Sequence, residues 1–265
     1  MQEFVVIANQ VRPAERKSPA DCVSFVVLCF LACLLVTELL AALPLQMIHC
    51  LQGSAPHPWR LTGTVISIEE CLKEFKEKGN KLHTEAVWWY SAEVAFFAGD
   101  IDYAMKSLQQ IPDSKQPAAS LMQTILHYHK ALICIANARK YGRKRQASVK
   151  TARQILKTTR RWAADSPANF SHMQLVIEAE LMTLSRYYSE DKVIELYKKA
   201  VAAAGAEDYI PMQALAYELF ADFSTRNGNA TQAHKYYNKA ATLYEKWGAK
   251  VKSQALIGKI RSEKE

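Results

Sequence analysis

One spacing of apolar residues recurs three times between residues 88 and 240 of this chain. In each set the successive residues lie 4, 12, 4 and 3 positions apart. Steps of three and four place side chains on one face of a helix, and the step of 12 carries the chain through a turn into a second helix. The spacing therefore predicts helix pairs, none of which buries its apolar face alone. The three sets are Trp88, Ala92, Ala104, Leu108 and Ile111; Ile177, Leu181, Val193, Tyr197 and Ala200; and Tyr217, Ala221, Ala233, Tyr237 and Ala240.

Glycine and proline are scarce, with nine of each in 265 residues, and they fall between the periodic segments. A glycine there can end a helix in the left-handed conformation, and Pro167 and Pro211 each suit the first turn of a helix. No segment shows sustained strand alternation. Residues 67–262 are therefore predicted to be helical with short turns, including turns at Gly99-Asp100, Ser189-Glu190 and Gly228-Asn229. The predicted helix-ending glycines are Gly79, Gly99, Gly142, Gly205, Gly228 and Gly248.

The fold class predicted from this spacing is all-α, with a tetratricopeptide-like solenoid of helical hairpins over residues 66–262. The repeat departs from the usual pattern at three positions. Leu181 and Val193 replace small residues, and Glu245 stands where a proline often closes the unit.

The amino-terminal part contains an apolar stretch at residues 22–43, interrupted by Glu38. A bilayer-spanning helix needs about 20 mostly apolar residues, so the stretch predicts an amino-terminal hydrophobic helix that anchors the chain in a membrane. A pair of buried helices broken at Pro44, or a processed targeting segment, are the alternatives. Residues 1–51 are thus expected to be a tail and anchor or extra helix pair, and residues 52–65 a linker. The protein is expected to be membrane-associated or cytoplasmic.

The positive charge is concentrated in one window. The net charge is +8, yet the residues from Ser114 to Ala164 include 12 Lys and Arg and no Asp or Glu. Within this basic ridge, the side chains expected to bind a partner are Arg139, Arg143, Lys144, Arg145, Arg153, Arg160 and Arg161.

Three interpretations of the basic ridge are open. It can be a solvated face paired with acids of adjacent hairpins, such as Glu178 and Glu180. It can instead bind an acidic protein or an anionic lipid surface. Nucleic acid is the least favoured partner, because no base-reading motif is present and Tyr141 is the only aromatic residue interleaved with the basic run.

Catalytic and metal-binding patterns are missing from the sequence. The seven histidines contain no i, i+4 pair, the six cysteines form no CxxC, and no serine lies in GxSxG. Asp100, Asp102, Glu190 and Asp191 fall at expected helix starts, where an acid caps free N–H groups. The sequence therefore indicates a non-enzymatic protein with no catalytic residue, cofactor or metal.

Residues 128–256 contain a series of short motifs, which are Arg160-Arg161-Trp162, Pro167-Ala168-Asn169-Phe170, Glu178-Ala179-Glu180, Ala214 to Glu218, Phe220-Ala221, Tyr236-Tyr237 and Trp247-Gly248-Ala249-Lys250. With these motifs the segment resembles the tetratricopeptide-like relay region of multi-sensor hybrid histidine kinases and related serine/threonine kinases. The resemblance implies a helical relay or docking segment whose partner is a kinase or an NTPase. This chain lacks the phosphate-binding loop and the catalytic signatures of those proteins, so no catalytic role is carried over.

The function expected from these observations is a protein-interaction or signalling scaffold that docks a partner on a helical-repeat groove and the basic ridge. One alternative is a relay segment of a split kinase/NTPase system whose catalysis lies on another chain. The other is a membrane-tethered basic adaptor that binds anionic lipid or nucleic acid.

Overall fold

The computed structural model describes residues 42–112, 121–142 and 146–262, and within these ranges the regular structure is α-helix without strands. The helices pack in sequence as antiparallel pairs, which confirms the all-α prediction. The described helices are α1 (residues 42–52), α2 (Ile68–Glu77), α3 (Lys81–Ala98), α4 (Ile101–Leu108), α5 (Leu121–Tyr141), α6 (Gln146–Asp165), α7 (Pro167–Met182), α8 (Glu190–Ala206), α9 (Ile210–Arg226), α10 (Ala230–Trp247) and α11 (Lys250–Ser262).

Two of the predicted turns have the expected chemistry. Gly99 ends α3 with a left-handed φ of 80°, and the Asp100 side chain accepts a hydrogen bond from the Tyr103 backbone to cap α4. Gly228 has φ 74°, and Asn229 caps α10 in the same way. Glycine is required at both turns because a Cβ disfavours positive φ. Asp100 therefore has the capping role that its position predicts.

The junctions on either side of α8 differ from the prediction. Gly205 lies inside α8, and the left-handed residue that follows this helix is Asp208, with φ 54°. A Cβ at residue 205 would collide with the side-chain amide of Gln213, so this glycine serves a close approach of side chain to backbone. At the other end, Ser189 caps α8 as expected, but α7 already ends at Met182, which makes this connection longer than a tight turn.

The residues of the repeated spacing form much of the core. Twelve of the fifteen are at most 9% exposed, and the other three, Trp88, Leu181 and Tyr217, are partly buried against them. The aromatic ring of Tyr197 on α8 stacks on Phe220 of α9 with centroids 5.0 Å apart. The spacing therefore identified the surfaces by which successive helices pack.

The last two helices contact the third. Phe97, at the end of α3, packs against Tyr244 and Trp247 of α10 with ring centroids 6.4 and 6.0 Å apart. Lys252 of α11 donates a hydrogen bond of 2.7 Å to the carbonyl oxygen of Phe97. Helices α10 and α11 therefore lie against the end of α3, although they are far from it in the sequence.

The segment predicted as a linker is attached to the helices. Residues 53–65 contain no helix, but Leu61 is fully buried, and Arg60 bonds Asp100 at 3.1 Å. The side-chain oxygen of Gln46, buried on α1, accepts hydrogen bonds from the backbones of Val65 and Ile66. These contacts tie α1 and the following segment to the rest of the described chain.

The apolar stretch predicted as an anchor, residues 22–43, lies outside the described residues except for its last two positions. Among the helices that the structure does describe, none combines the length and the apolar character needed to cross a membrane. The membrane anchor stays a prediction.

Candidate functional site: a basic groove along helix α6

Helix α6 has two chemically distinct faces. Its buried face carries small and apolar residues such as Ala152, Ile155 and Leu156. At 100° per residue, the basic side chains of this helix fall within about 100° of its circumference on the opposite face. All of them are exposed: Lys150, Arg153, Lys157, Arg160 and Arg161. The amphipathic pattern that buries one side of α6 thus gathers its charges on the other.

A groove of about 960 Å³ runs beside this charged face. Lys150, Arg153 and Lys157 line it, and Ala138, Val149 and Leu184 supply apolar surface. None of the lining residues is acidic. The groove therefore combines an apolar floor with a row of cations that spans two helical turns.

The cations of the groove are not neutralised within the described part of the chain. Lys150, Arg153 and Lys157 form no ion pair or hydrogen bond with any described residue, and the same is true of Arg161 just beyond them. The charges of these side chains are not offset by a neighbouring acid, and aligned cations raise the local concentration of anionic groups. The groove is thus suited to an acidic partner.

Arg139 has a different environment from the groove residues. Its guanidinium bonds the Glu180 carboxylate at 2.8 Å and the Thr183 hydroxyl at 2.7 Å, and Glu180 is only 2% exposed. Burial disfavours the charge of Arg139, but Glu180, Tyr197 and Asp222 together outweigh this effect, so the pKa of Arg139 is above its ordinary value. The Tyr197 hydroxyl also donates to Glu180, and Arg226 lies 3.8 Å from it. Arg139 thus joins α5 to a buried network that extends through α7, α8 and α9.

The remaining predicted residues divide into two groups. Arg160 is exposed but pairs with Glu178 of α7 at 2.8 Å, which is the inter-hairpin pairing considered in the sequence analysis. Arg143, Lys144 and Arg145 lie outside the described residues. Of the predicted partner-binding side chains, the structure therefore places Arg153 in the groove, Arg161 exposed on the same face, and Arg139 and Arg160 in ion pairs.

Contacts between charged or titratable side chains join alternate helices from α3 to α11. Glu93 of α3 lies 2.8 Å from His129 of α5, and both are under 10% exposed. Glu218 of α9 bonds Lys252 of α11 at 2.7 Å, and the Arg139–Glu180 pair joins α5 to α7. The three carboxylates of these pairs are buried, so they are less accessible to a partner than the exposed cations beside α6.

The sequence places Lys150, Arg153 and Lys157 on one side of a helix in the basic ridge, but of these three only Arg153 was predicted to bind a partner, and the apolar floor was not predicted. The signal was present in the steps of three and four that join the basic residues of α6. The floor could not be found in this way, because Ala138 and Leu184 come from other parts of the chain.

Metal-binding chemistry has no support in the described ranges, where no group of three His, Cys, Asp or Glu side chains could hold an ion.

Comparison of the chain with known protein families, with characterised proteins and with solved structures finds no significant match. In the part of the chain that the structure describes, the fold is a series of antiparallel helix pairs, and the groove beside α6 is a basic surface without acidic partners.

Proposed function

We propose that this chain is a non-enzymatic scaffold, a tetratricopeptide-like solenoid that docks an acidic helix of a partner protein in the groove beside α6. The observation that carries the proposal is the row of Lys150, Arg153 and Lys157, unpaired within the described chain, above an apolar floor. A groove of this kind suits an amphipathic helix, whose apolar face meets the floor while its acids meet the cations.

The spacing of the cations sets the pattern of the partner. Lys150 and Lys157 are seven residues apart, which is about 10.5 Å along a helix axis. A partner helix that lies alongside α6 would present acids three, four and seven positions apart to reach all three cations. Salt screens the attraction between these opposite charges, so the affinity is expected to fall as ionic strength rises.

The fold supports this role by positioning the helix that carries the cations. Helix α6 packs against both α5 and α7, and its inner face is buried, so the packing sets the backbone positions of the three cations. On binding, the partner has to order its own side chains, whereas the helix that carries the cations is already folded. The resemblance to kinase relay regions makes a kinase or an NTPase the first partner class to test, and membrane attachment through residues 22–43 is compatible with it.

The experiment is a fluorescence anisotropy titration with a labelled helical peptide that carries Glu at positions i, i+3 and i+7 and Leu on the adjacent face. Two double variants are compared, Arg153→Glu with Lys157→Glu in the groove and Lys246→Glu with Lys250→Glu elsewhere. Lys246 and Lys250 are also exposed, so the two doubles change the net charge equally.

The groove variant is expected to weaken peptide binding at least about tenfold, whereas the control stays within about twofold of the unmodified chain. Equal losses in the two doubles, or no saturable binding, would refute the proposal. Tighter binding to anionic vesicles or to RNA than to the peptide would also refute it, in favour of the adaptor alternative.

A further inference from the structure

A second groove lies between α8, α9 and α10, away from the basic ridge. Its volume is about 450 Å³, and it is lined by Lys198 of α8, Tyr217 of α9, and Tyr236 and Lys239 of α10. None of its lining residues is acidic. It is thus a concave, positively charged surface that the proposed docking role does not use.

The two tyrosines of this groove are held side by side. Their rings stack with centroids 5.7 Å apart and planes inclined by 24°, and Tyr236 stacks in turn on Phe220 at 4.1 Å. Tyr236 is only 8% exposed, so its ring is fixed in the core. Neither hydroxyl forms a hydrogen bond within the described part of the chain. The packing therefore orients two phenol groups that have no protein acceptor.

The phenol of Tyr236 acts as a donor at neutral pH. Burial raises the pKa of Tyr236, and the neighbouring Tyr217 raises it further, so this hydroxyl keeps its proton. The ammonium of Lys239 lies 5.1 Å from the centre of the Tyr217 ring, a distance typical of cation–π contact. Lys198 has no carboxylate partner among the described residues, while its neighbour Lys199 pairs with Glu195. The groove thus offers two ammonium groups and two hydroxyl donors.

We propose that this groove binds the phosphate group of a phosphate monoester. Such a group carries close to two negative charges at neutral pH and presents three acceptor oxygens. Two lysines match the charge, and two tyrosine hydroxyls with two ammonium groups supply the donors. A carboxylate has one charge and two oxygens, so it would leave part of this donor set unused.

The size of the groove indicates that the phosphate is attached to a larger molecule. A volume of about 450 Å³ exceeds what one phosphate group fills, and Val201, Ala202 and Phe220 add apolar surface to the lining. The phosphate can belong to a phosphorylated side chain of a protein or to a small organic phosphate, and the chemistry of recognition is the same for both.

The test is calorimetric titration of the full chain with inorganic phosphate, O-phosphoserine, phenyl phosphate and acetate. Saturable binding of the phosphates, with acetate at least about tenfold weaker, is expected. Tighter binding of phosphoserine than of phenyl phosphate would indicate an alkyl phosphate such as a phosphoserine side chain, and the reverse order an aryl phosphate such as a phosphotyrosine side chain. The absence of saturable phosphate binding, or an equal affinity for acetate, would overturn the proposal.

Variants locate the binding in this groove. Lys198→Ala and Lys239→Ala are each expected to weaken phosphate binding about tenfold, and Tyr217→Phe about fivefold. Lys106→Ala, which removes an exposed charge on α4, is the control and should stay within about twofold. The groove variant Arg153→Glu with Lys157→Glu should also retain phosphate binding. Losses as large in these two controls as in the lysine variants would show a nonspecific charge effect and overturn the proposal.

Discussion

The side-chain nitrogen of Lys252 lies 2.7 Å from the carbonyl oxygen of Phe97, although 155 residues separate them in the sequence. The same nitrogen is 2.7 Å from the Glu218 carboxylate, which also accepts a hydrogen bond of 2.8 Å from the Tyr244 hydroxyl. Burial and the charge of Glu218 raise the pKa of Tyr244, so the phenol stays protonated and donates. One ammonium group therefore links α3, α9 and α11.

Replacement of Lys252 by Met is expected to destabilise the protein by about 3–5 kcal/mol, because it leaves the carboxylate of Glu218 buried without its cation. Urea denaturation followed by circular dichroism measures the loss. Lys250→Met, two residues earlier and exposed, should stay within about 0.5 kcal/mol of the unmodified protein. A smaller loss for Lys252→Met when Glu218 is already Gln would locate the effect in the ion pair, and equal losses in both backgrounds would contradict it.

Arg139 and Arg153 belong to the same basic ridge, yet they are expected to respond differently to replacement by Met. Arg139→Met removes the closest cation of the buried Glu180 and should cost about 2–4 kcal/mol, somewhat moderated because Arg226 remains nearby. Arg153→Met, in the open groove, should change the free energy of unfolding by less than about 0.5 kcal/mol. It should nevertheless weaken the binding of the acidic peptide. Thermal and urea unfolding together with the peptide titration test this division. A stable Arg139→Met variant would show that the network does not hold the helices.

The buried imidazole of His172 is expected to make the protein less stable in mild acid. The imidazole is 2% exposed beside the Tyr209 ring, and both of its nitrogens lack hydrogen-bond partners within the described chain. Burial lowers the pKa of His172 from 6.5 to about 4. The unfolded chain therefore binds more protons between these two values, and stability falls as the pH drops from about 6.5 toward 4.

The expected contribution of His172 to this loss is about 2 kcal/mol between pH 7 and pH 5. His172→Leu removes the titrating group and should reduce the difference in unfolding free energy between these pH values by that amount. The carboxylates are common to both proteins, so their contribution cancels in the comparison. The same pH dependence in both proteins would show that His172 is not the source.

Local and distant features of this chain differ in how far the sequence predicts them. The steps of three and four that place Tyr197 and Ala200 on one face also govern how a helix packs, so the core could be read from spacing. The hydroxyl of Tyr197 bonds Glu180, however, and nothing in the apolar spacing marks a residue as both core and hydrogen-bond donor. Contacts between residues far apart in sequence leave no periodic signal.

The basic ridge shows the same limit. Arg139 and Arg153 both lie in the window without acids, which ends at residue 164. The composition of that window therefore predicts the same partner-binding role for both. Glu178 and Glu180 come from the next helix, and the sequence offers both as acids for this ridge. The packing of α7 against its neighbours decides that they pair with Arg160 and Arg139. The ridge is predicted by composition, but its free and paired members are separated by tertiary packing.

Two glycines with open surroundings provide a test of backbone conformation alone. Gly99 has φ 80° between α3 and α4, whereas Gly258 lies within α11, and a Cβ at either position would meet no atom within 4 Å. Gly99→Ala is expected to cost about 1–2 kcal/mol, because alanine is strained at positive φ. Gly258→Ala is expected to gain up to about 1 kcal/mol, because alanine favours the helix. Opposite shifts of the urea midpoint would confirm both assignments, and a gain at Gly99 would contradict the left-handed turn there.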